Sequence, residues 1–130
     1  MKLLIIDDNQ QLALSLAAYF EDEGIDSQIA DSAELAKKVF AENTFDGAVV
    51  DFYLPGADGA TWIEWALGRS PGLACVIYTG SLTLSIQGRL NQFSVNPIKV
   101  FQKTHIGAAE LAQSFLAPDK TKSYPTGILD

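Results

Sequence analysis

The apolar positions fall into short dense runs, separated by segments whose apolar residues recur every three to four positions. Five runs predict strands: Lys2–Ile6, Ser27–Ala30, Gly47–Val50, Leu73–Tyr78 and Ile98–Gln102. The first, third and fourth are nearly continuous in apolar side chains, as are strands buried on both faces of a parallel sheet covered by helices. Helical spacing fills the intervals. Gln10–Glu23 carries Leu12, Leu16, Tyr19 and Phe20, with Gly24 just past its end as a C-cap. Asp31–Glu42 opens with Asp31 and Glu34, an N-cap arrangement, and carries Leu35, Val39 and Phe40. Gly59–Arg69 carries Trp62, Ile63, Trp65, Ala66 and Leu67 and stops near Ser70-Pro71-Gly72. Ile106–Leu116 carries Leu111, Phe115 and Leu116. Trp62 and Trp65 read as core and rim packing. Ser81–Asn96 mixes period-two and helical spacing and predicts a short helix followed by a loop. The alternation of strand and helix implies a doubly wound parallel sheet with right-handed crossovers and helices on both faces.

At 130 residues the chain suits one domain. Residues 1–117 carry the pattern. Residues 118–130, with Pro118, Lys120, Lys122, Pro125 and Gly127, read as a flexible tail or a truncated linker. Net charge is −7 and the pI is near 4.5. Such a surface repels phosphate backbones and argues against direct nucleic-acid binding. Apolar residues make up 48% and charged residues 19%, a globular composition. The lone Cys75 excludes an intramolecular disulfide, reads as a small buried hydrophobe and suits a cytoplasmic home. The opening apolar run is broken at Asp7 and Asp8, too early for a secretory segment. No stretch approaches the roughly 20 apolar residues of a membrane span.

Ligands of open α/β sheets bind outside the carboxyl ends of the strands. The first predicted strand closes on Asp7 and Asp8, the third on Asp51, the fourth on Thr79 and the fifth on Lys103. Each has an ordinary reading by itself: Asp7, Asp8 and Asn9 as caps of the next helix, Asp51 as a turn residue before Pro55-Gly56, Lys103 as a surface lysine. Together they bring three carboxylates to one sheet edge, where they repel one another unless a hard cation binds. Mg²⁺ fits two carboxylates, one backbone carbonyl and waters, and the Tyr53 carbonyl lies in the right loop to be that ligand. A carboxylate can also act as a nucleophile and form an aspartyl-phosphate. Phosphoryl transfer needs positioning and charge neutralisation, which Lys103 and the Thr79 hydroxyl can help supply. His105 reads as a surface residue.

These residues resemble the receiver domain of two-component response regulators over about Lys2 to Leu116. Leu3-Leu4-Ile5-Ile6-Asp7-Asp8-Asn9 is similar to the family's first strand and acidic pair. Asp51-Phe52-Tyr53-Leu54-Pro55-Gly56-Ala57-Asp58-Gly59 is similar to its phosphoacceptor loop, and Thr79 and Lys103 fall where the family keeps a hydroxyl residue and a lysine. The resemblance implies a flavodoxin-like, CheY-like (βα)5 fold, its five-stranded parallel sheet in the order 2-1-3-4-5. It implies that Asp51 accepts a phosphoryl group, that Asp8 binds Mg²⁺ directly and Asp7 through water, that Tyr53 adds its carbonyl, and that Lys103 and Thr79 engage the phosphoryl group. The implied donor is a sensor histidine kinase or a histidine phosphotransfer protein, and the implied recipient an output domain or partner protein. The domain is then a switch with at most slow autophosphatase activity, not a turnover enzyme.

Four departures from the family pattern cluster late in the chain. Val100 stands where the family usually has an aromatic residue, with Phe101 beside it. Thr104 replaces the usual cis proline after the lysine; a non-proline cis bond costs about 2.5–4 kcal/mol, which points to a trans, rearranged loop. Gly80 replaces the common alanine, and Asn91–Pro97 is unlike the usual turn. They motivate an alternative, a receiver-like interaction module that signals without phosphorylation. An aspartyl phosphohydrolase is disfavoured because Tyr53 stands where a second acid is expected. A flavodoxin-like cofactor binder is disfavoured because no Gly-rich or Ser/Thr-rich phosphate loop follows the first strand.

Overall fold

A computed structural model describes residues 1–80, 83–92 and 98–116 and the backbone of 128–129. The chain runs β1 (Lys2–Ile6), α1 (Gln10–Asp22), β2 (Asp26–Ala30), α2 (Ala33–Glu42), β3 (Gly47–Val50), a short hairpin of β4 (Tyr53–Leu54) and β5 (Ala57–Asp58), α3 (Gly59–Arg69), β6 (Ala74–Thr79), α4 (Leu84–Leu90), β7 (Lys99–Gln102), α5 (Ala108–Leu116) and β8 (Ile128–Leu129). The main sheet has the order β2-β1-β3-β6-β7-β8. Its first five strands are parallel, so counted alone they follow the expected order 2-1-3-4-5. β8 adds a short antiparallel edge, pairing Val100 with Leu129 and Phe101 with Ile128. It lies in the segment expected as a tail, most of which is outside the described residues.

The dense apolar runs become the central strands because both of their faces are covered. Leu4, Ile6, Ala48, Val50, Ile77 and Val100 face α2, α3 and α4 in one core layer. Leu3, Ile5, Val49, Val76, Tyr78 and Phe101 face α1 and α5 in the other. A sheet covered on both faces leaves its strand ends as the only place for charge.

Local chemistry sets the boundaries. Asn9 caps α1 by accepting the Leu12 N–H, Asp58 caps α3 through Thr61 and Thr83 caps α4 through Ile86. Gly24 takes a left-handed φ of 78° just past the end of α1. Two helix starts differ from expectation. α2 begins at Ala33, not Asp31, because the Ser32 hydroxyl accepts the Leu35 N–H and caps it, while Ala33 enters the core. α5 begins at Ala108, because the Ile106 carbonyl accepts the Tyr78 hydroxyl and Glu110 folds back to accept the Gly107 N–H. The short helix expected in Ser81–Asn96 is α4; residues 81, 82 and 93–97 lie outside the described residues.

Pro55-Gly56 forms the tip of the β4–β5 hairpin, where Gly56 supplies a φ of 93°. Trp62 is fully buried edge-on to Phe40, and Trp65 is half-buried between Lys37 and Arg69, so the core-and-rim expectation holds. Cys75 is half-buried, not fully enclosed, and burial pushes its thiol up to about 12, which keeps it protonated and unreactive.

Gly59 carries the tightest steric constraint on the hairpin. A Cβ there would lie 2.3 Å from the Asp51 carbonyl oxygen and 3.0 Å from Val50, and the Gly59 N–H donates to the Phe52 carbonyl at 2.6 Å. The start of α3 is thus pressed onto the backbone of Asp51. Gly59→Ala is expected to destabilise the fold by about 2–4 kcal/mol, checked by urea denaturation; a loss below about 0.5 kcal/mol would show that the loop relaxes freely.

Candidate functional site

β1 and β3 are neighbours, yet the chain leaves β1 in one direction toward β2 and returns on its other side as β3. This reversal opens a crevice at the carboxyl ends of the two strands. Asp7 follows β1, anchored by its N–H to the Ala30 carbonyl at 3.1 Å. Asp51 follows β3, anchored to the Ile6 carbonyl at 2.9 Å. Both are buried, at 4% and 8% exposure, whereas Asp8 is exposed. Carboxylate oxygens of Asp7, Asp8 and Asp51 all lie within 4.8 Å of one another.

Lys103 enters from the end of β7. Its own N–H donates to the Thr79 carbonyl at 2.8 Å, which ties it to the end of β6. Its Nζ lies 2.8 Å from Asp7 Oδ2 and 3.6 Å from Asp51 Oδ2. The ammonium therefore pairs first with Asp7. The second Asp7 oxygen accepts the Asn9 N–H at 2.9 Å. Asp7 is thus satisfied at both oxygens, and Asp51 has the weaker share of the lysine.

The electrostatic consequence falls on Asp51. Burial first, then the nearby Asp7 charge, push its carboxyl up from 3.8 to about 6; Lys103 opposes the shift and Asp8 adds to it. Three carboxylates and one ammonium leave two uncompensated negative charges around a crevice lined with hard oxygen donors. That donor set fits a small divalent cation such as Mg²⁺, held by Asp7, Asp8 and Asp51, which would neutralise the charge of an incoming phosphoryl group.

Each site residue expected from the sequence is now located. Asp7, Asp8, Asp51 and Lys103 converge. Thr79 closes β6, fully buried, at the same sheet edge. Tyr53 starts β4 and is 56% exposed. His105 is exposed, as expected, and its Nδ1 lies 3.0 Å from the Thr104 hydroxyl. No peptide bond among the described residues is cis, so the Lys103–Thr104 bond is trans, as the missing proline implies. Gly80 is exposed, and the space a Cβ would take there is open.

Two features of the site were not read from the sequence. Tyr78 donates to the Ile106 carbonyl at 2.5 Å, bracing the loop that carries Lys103, and its ring lies 6.0 Å from Lys103 Nζ. A phenol within a buried run was the available signal, since a buried tyrosine hydroxyl needs a partner. The Asn9 N–H on Asp7 was hidden because a backbone donor leaves no trace in composition.

The sequence model of the family described as "Response regulator receiver domain" matches residues 3–105. An NtrX-like response regulator of Rickettsia bellii is 29% identical over 100 residues, which cover 75% of this chain and 20% of that protein. The chain therefore spans about one fifth of the length of that relative. Among solved structures, a CheY-like response regulator receiver domain protein from Methanospirillum hungatei superposes with a TM-score of 0.77 at 22% identity, covering 87% of this chain and 88% of that one. A response regulator protein from Burkholderia pseudomallei, solved with a phosphorylated aspartic acid, a calcium ion and citrate, gives a TM-score of 0.76 at 20% identity, covering 89% and 66%. The structural likenesses carry the fold, and the family match spans all five parallel strands and the acidic edge: the chain belongs to the response regulator receiver domain family.

Proposed function

We propose that residues 1–117 form a phosphoacceptor switch in which Asp51 takes a phosphoryl group from a phosphohistidine, with residues 118–130 as a tail or linker. The donor is a sensor histidine kinase or a histidine phosphotransfer protein, the recipient an output domain or partner protein, and the setting cytoplasmic. Among the described residues no helix is long and apolar enough to cross a membrane, which is compatible with that setting. One observation carries the reading. Three carboxylates and a lysine meet at the β1/β3 reversal, with Asp51 the least compensated of the buried pair.

The chemistry follows from those positions. An Asp51 oxygen attacks phosphorus, the P–N bond to the donor imidazole breaks, and the leaving nitrogen retains the bond's electron pair. Lys103 shifts its pairing toward the new phosphoryl oxygens, and the Thr79 hydroxyl donates to one of them. Mg²⁺ would be held by Asp8 directly, by Asp51 and the Tyr53 carbonyl, and by Asp7 through water, and would supply positive charge to the phosphoryl oxygens. Hydrolysis of the acyl phosphate is at most slow, as suits a switch.

A second reading, a binding module without phosphoryl chemistry, draws on β7. Val100 is buried on the face toward α4, and Phe101 points to the opposite layer. The ring usual at that position is therefore missing, so signal relay differs even where the acceptor chemistry is intact.

Incubation with Mg²⁺ and acetyl phosphate is expected to add one phosphoryl group to the wild type and none to Asp51→Asn, measured by intact-protein mass spectrometry. No labelling by any donor would favour the binding module, and labelling of Asp51→Asn would move the acceptor elsewhere.

The raised Asp51 value also predicts a pH dependence. An acid whose folded-state pKa exceeds its unfolded value holds its proton more tightly when folded. Its stabilising contribution is present at low pH and is lost as pH rises from about 4 to about 6. At pH 7.5 without metal, Asp51→Asn is expected to stabilise the protein by about 1–2 kcal/mol after allowance for solvent screening. The gain should vanish near pH 4 and narrow when Mg²⁺ stabilises the wild type. Thermal melts across pH check this; a mutant less stable at pH 7.5 contradicts it.

A further inference from the structure

α4 is a weakly held helix. It has seven residues, and Ile86 is its one fully buried side chain. Gly88 sits within it although a Cβ there would meet nothing within 4 Å. A glycine inside a helix costs roughly 0.5–1 kcal/mol relative to alanine, here without a packing reason. Leu84 is 86% exposed, so Ile86 is the one residue of the first turn that is buried.

Arg89 supplies much of what fastens this helix. Its Nη2 donates to Glu64 in a short charged hydrogen bond and to the Thr61 hydroxyl at 3.2 Å, and its Nε lies 3.7 Å from Asp58 Oδ2. Its Nη1 donates to Gln92 at 3.1 Å. One guanidinium thus ties α4 to the N-cap and the first two turns of α3. Asp58 is shared. Its other oxygen caps α3 through the Thr61 N–H at 2.7 Å, and the next residue, Gly59, is pressed onto the Asp51 carbonyl. A contiguous set of contacts therefore runs from the Asp51 backbone through Gly59 and Asp58 to Arg89 and α4.

We propose that Arg89 is a latch that holds α4 docked on the N-terminus of α3, and that phosphorylation at Asp51 works against this latch. The inference rests on the phosphoacceptor reading for its second half only. Thr79 closes β6, and four residues later Thr83 caps α4. Drawing the Thr79 hydroxyl toward a phosphoryl group on Asp51 pulls the start of α4 away from the position in which Arg89 reaches α3. The latched state is then the unphosphorylated one, and linkage requires that weakening the latch tightens binding of a phosphoryl mimic.

The test uses hydrogen exchange and beryllofluoride titration on the wild-type chain and on Arg89→Gln and Asp58→Asn. The asparagine keeps the α3 cap and removes only the charge. In the metal-free protein, both variants are expected to exchange the Gln87–Asn91 amides about fivefold faster, with β1 and β3 unchanged. With Mg²⁺ present, beryllofluoride is expected to bind both variants a few-fold more tightly, and to speed α4 exchange in the wild type. Unchanged α4 exchange in both variants, or exchange that rises equally in every element, overturns the latch. Faster α4 exchange with unchanged beryllofluoride affinity overturns the coupling. A wild type that binds no beryllofluoride defeats the phosphoacceptor reading, and the metal-free exchange then decides the latch alone.

Discussion

The structure depends on where a doubly covered parallel sheet can put charge. β1 and β3 are apolar on both faces, so the first ionised groups after them emerge together at the carboxyl edge. The reversal of strand order makes those two ends adjacent, and Asp7 and Asp51 become neighbours by topology. Lys103 relieves the crowding unequally. It sits close to Asp7 and farther from Asp51, so one carboxylate is closely ion-paired while the other has the larger unmet demand for positive charge. Two buried acids with the same side chain are thus set apart by their partners.

The loop after Asp51 converts that local chemistry into a mechanical constraint. Gly59 closes against the Asp51 carbonyl, the hairpin turns at Gly56, and the Ala33 N–H reaches the Pro55 carbonyl at 3.4 Å. Asp51 is thus built into the packing of α3 and within reach of α2, so it does not sit on a free loop. On the far side, Tyr78 fixes the connection from β7 to α5 through Ile106. Both walls of the crevice are braced, which suits a site whose chemistry is mainly positioning.

Much of this was legible in the sequence because the relevant signals are local and strong. Lys2–Ile6 and Gly47–Val50 are continuous apolar runs with acids directly after them, and both have the strand limits that the pattern predicts. Gly59–Arg69 was bounded by Asp58-Gly59 at one end and Ser70-Pro71-Gly72 at the other, and α3 has those limits. Legibility failed where two residues compete for one role. Asp31 and Ser32 are both good caps, and the choice fell to Ser32 because it puts Ala33 and Ala36 into the core. It failed again where a partner is distant in sequence, as for Lys103 choosing Asp7 over Asp51 and Arg89 reaching Asp58, Thr61 and Glu64.

The neighbouring Val100 and Phe101 left open whether a local shift could bring the ring to the position the family normally gives an aromatic. Strand geometry closes that route. β7 pairs with β6 as Ile77 to Val100 and Tyr78 to Phe101, so alternation sends Val100 toward α4 and Phe101 toward α1 and α5. Moving the ring across would require a one-residue slip, which turns every side chain of the strand over. The same slip would break the 2.8 Å bond from the Lys103 N–H to the Thr79 carbonyl and carry the ammonium away from Asp7. The register that keeps Lys103 in the acidic crevice is therefore the register that keeps the ring out of it. Among the described residues, β7 therefore presents the small aliphatic side chain of Val100 on the face toward α4 and keeps its ring, Phe101, in the opposite layer.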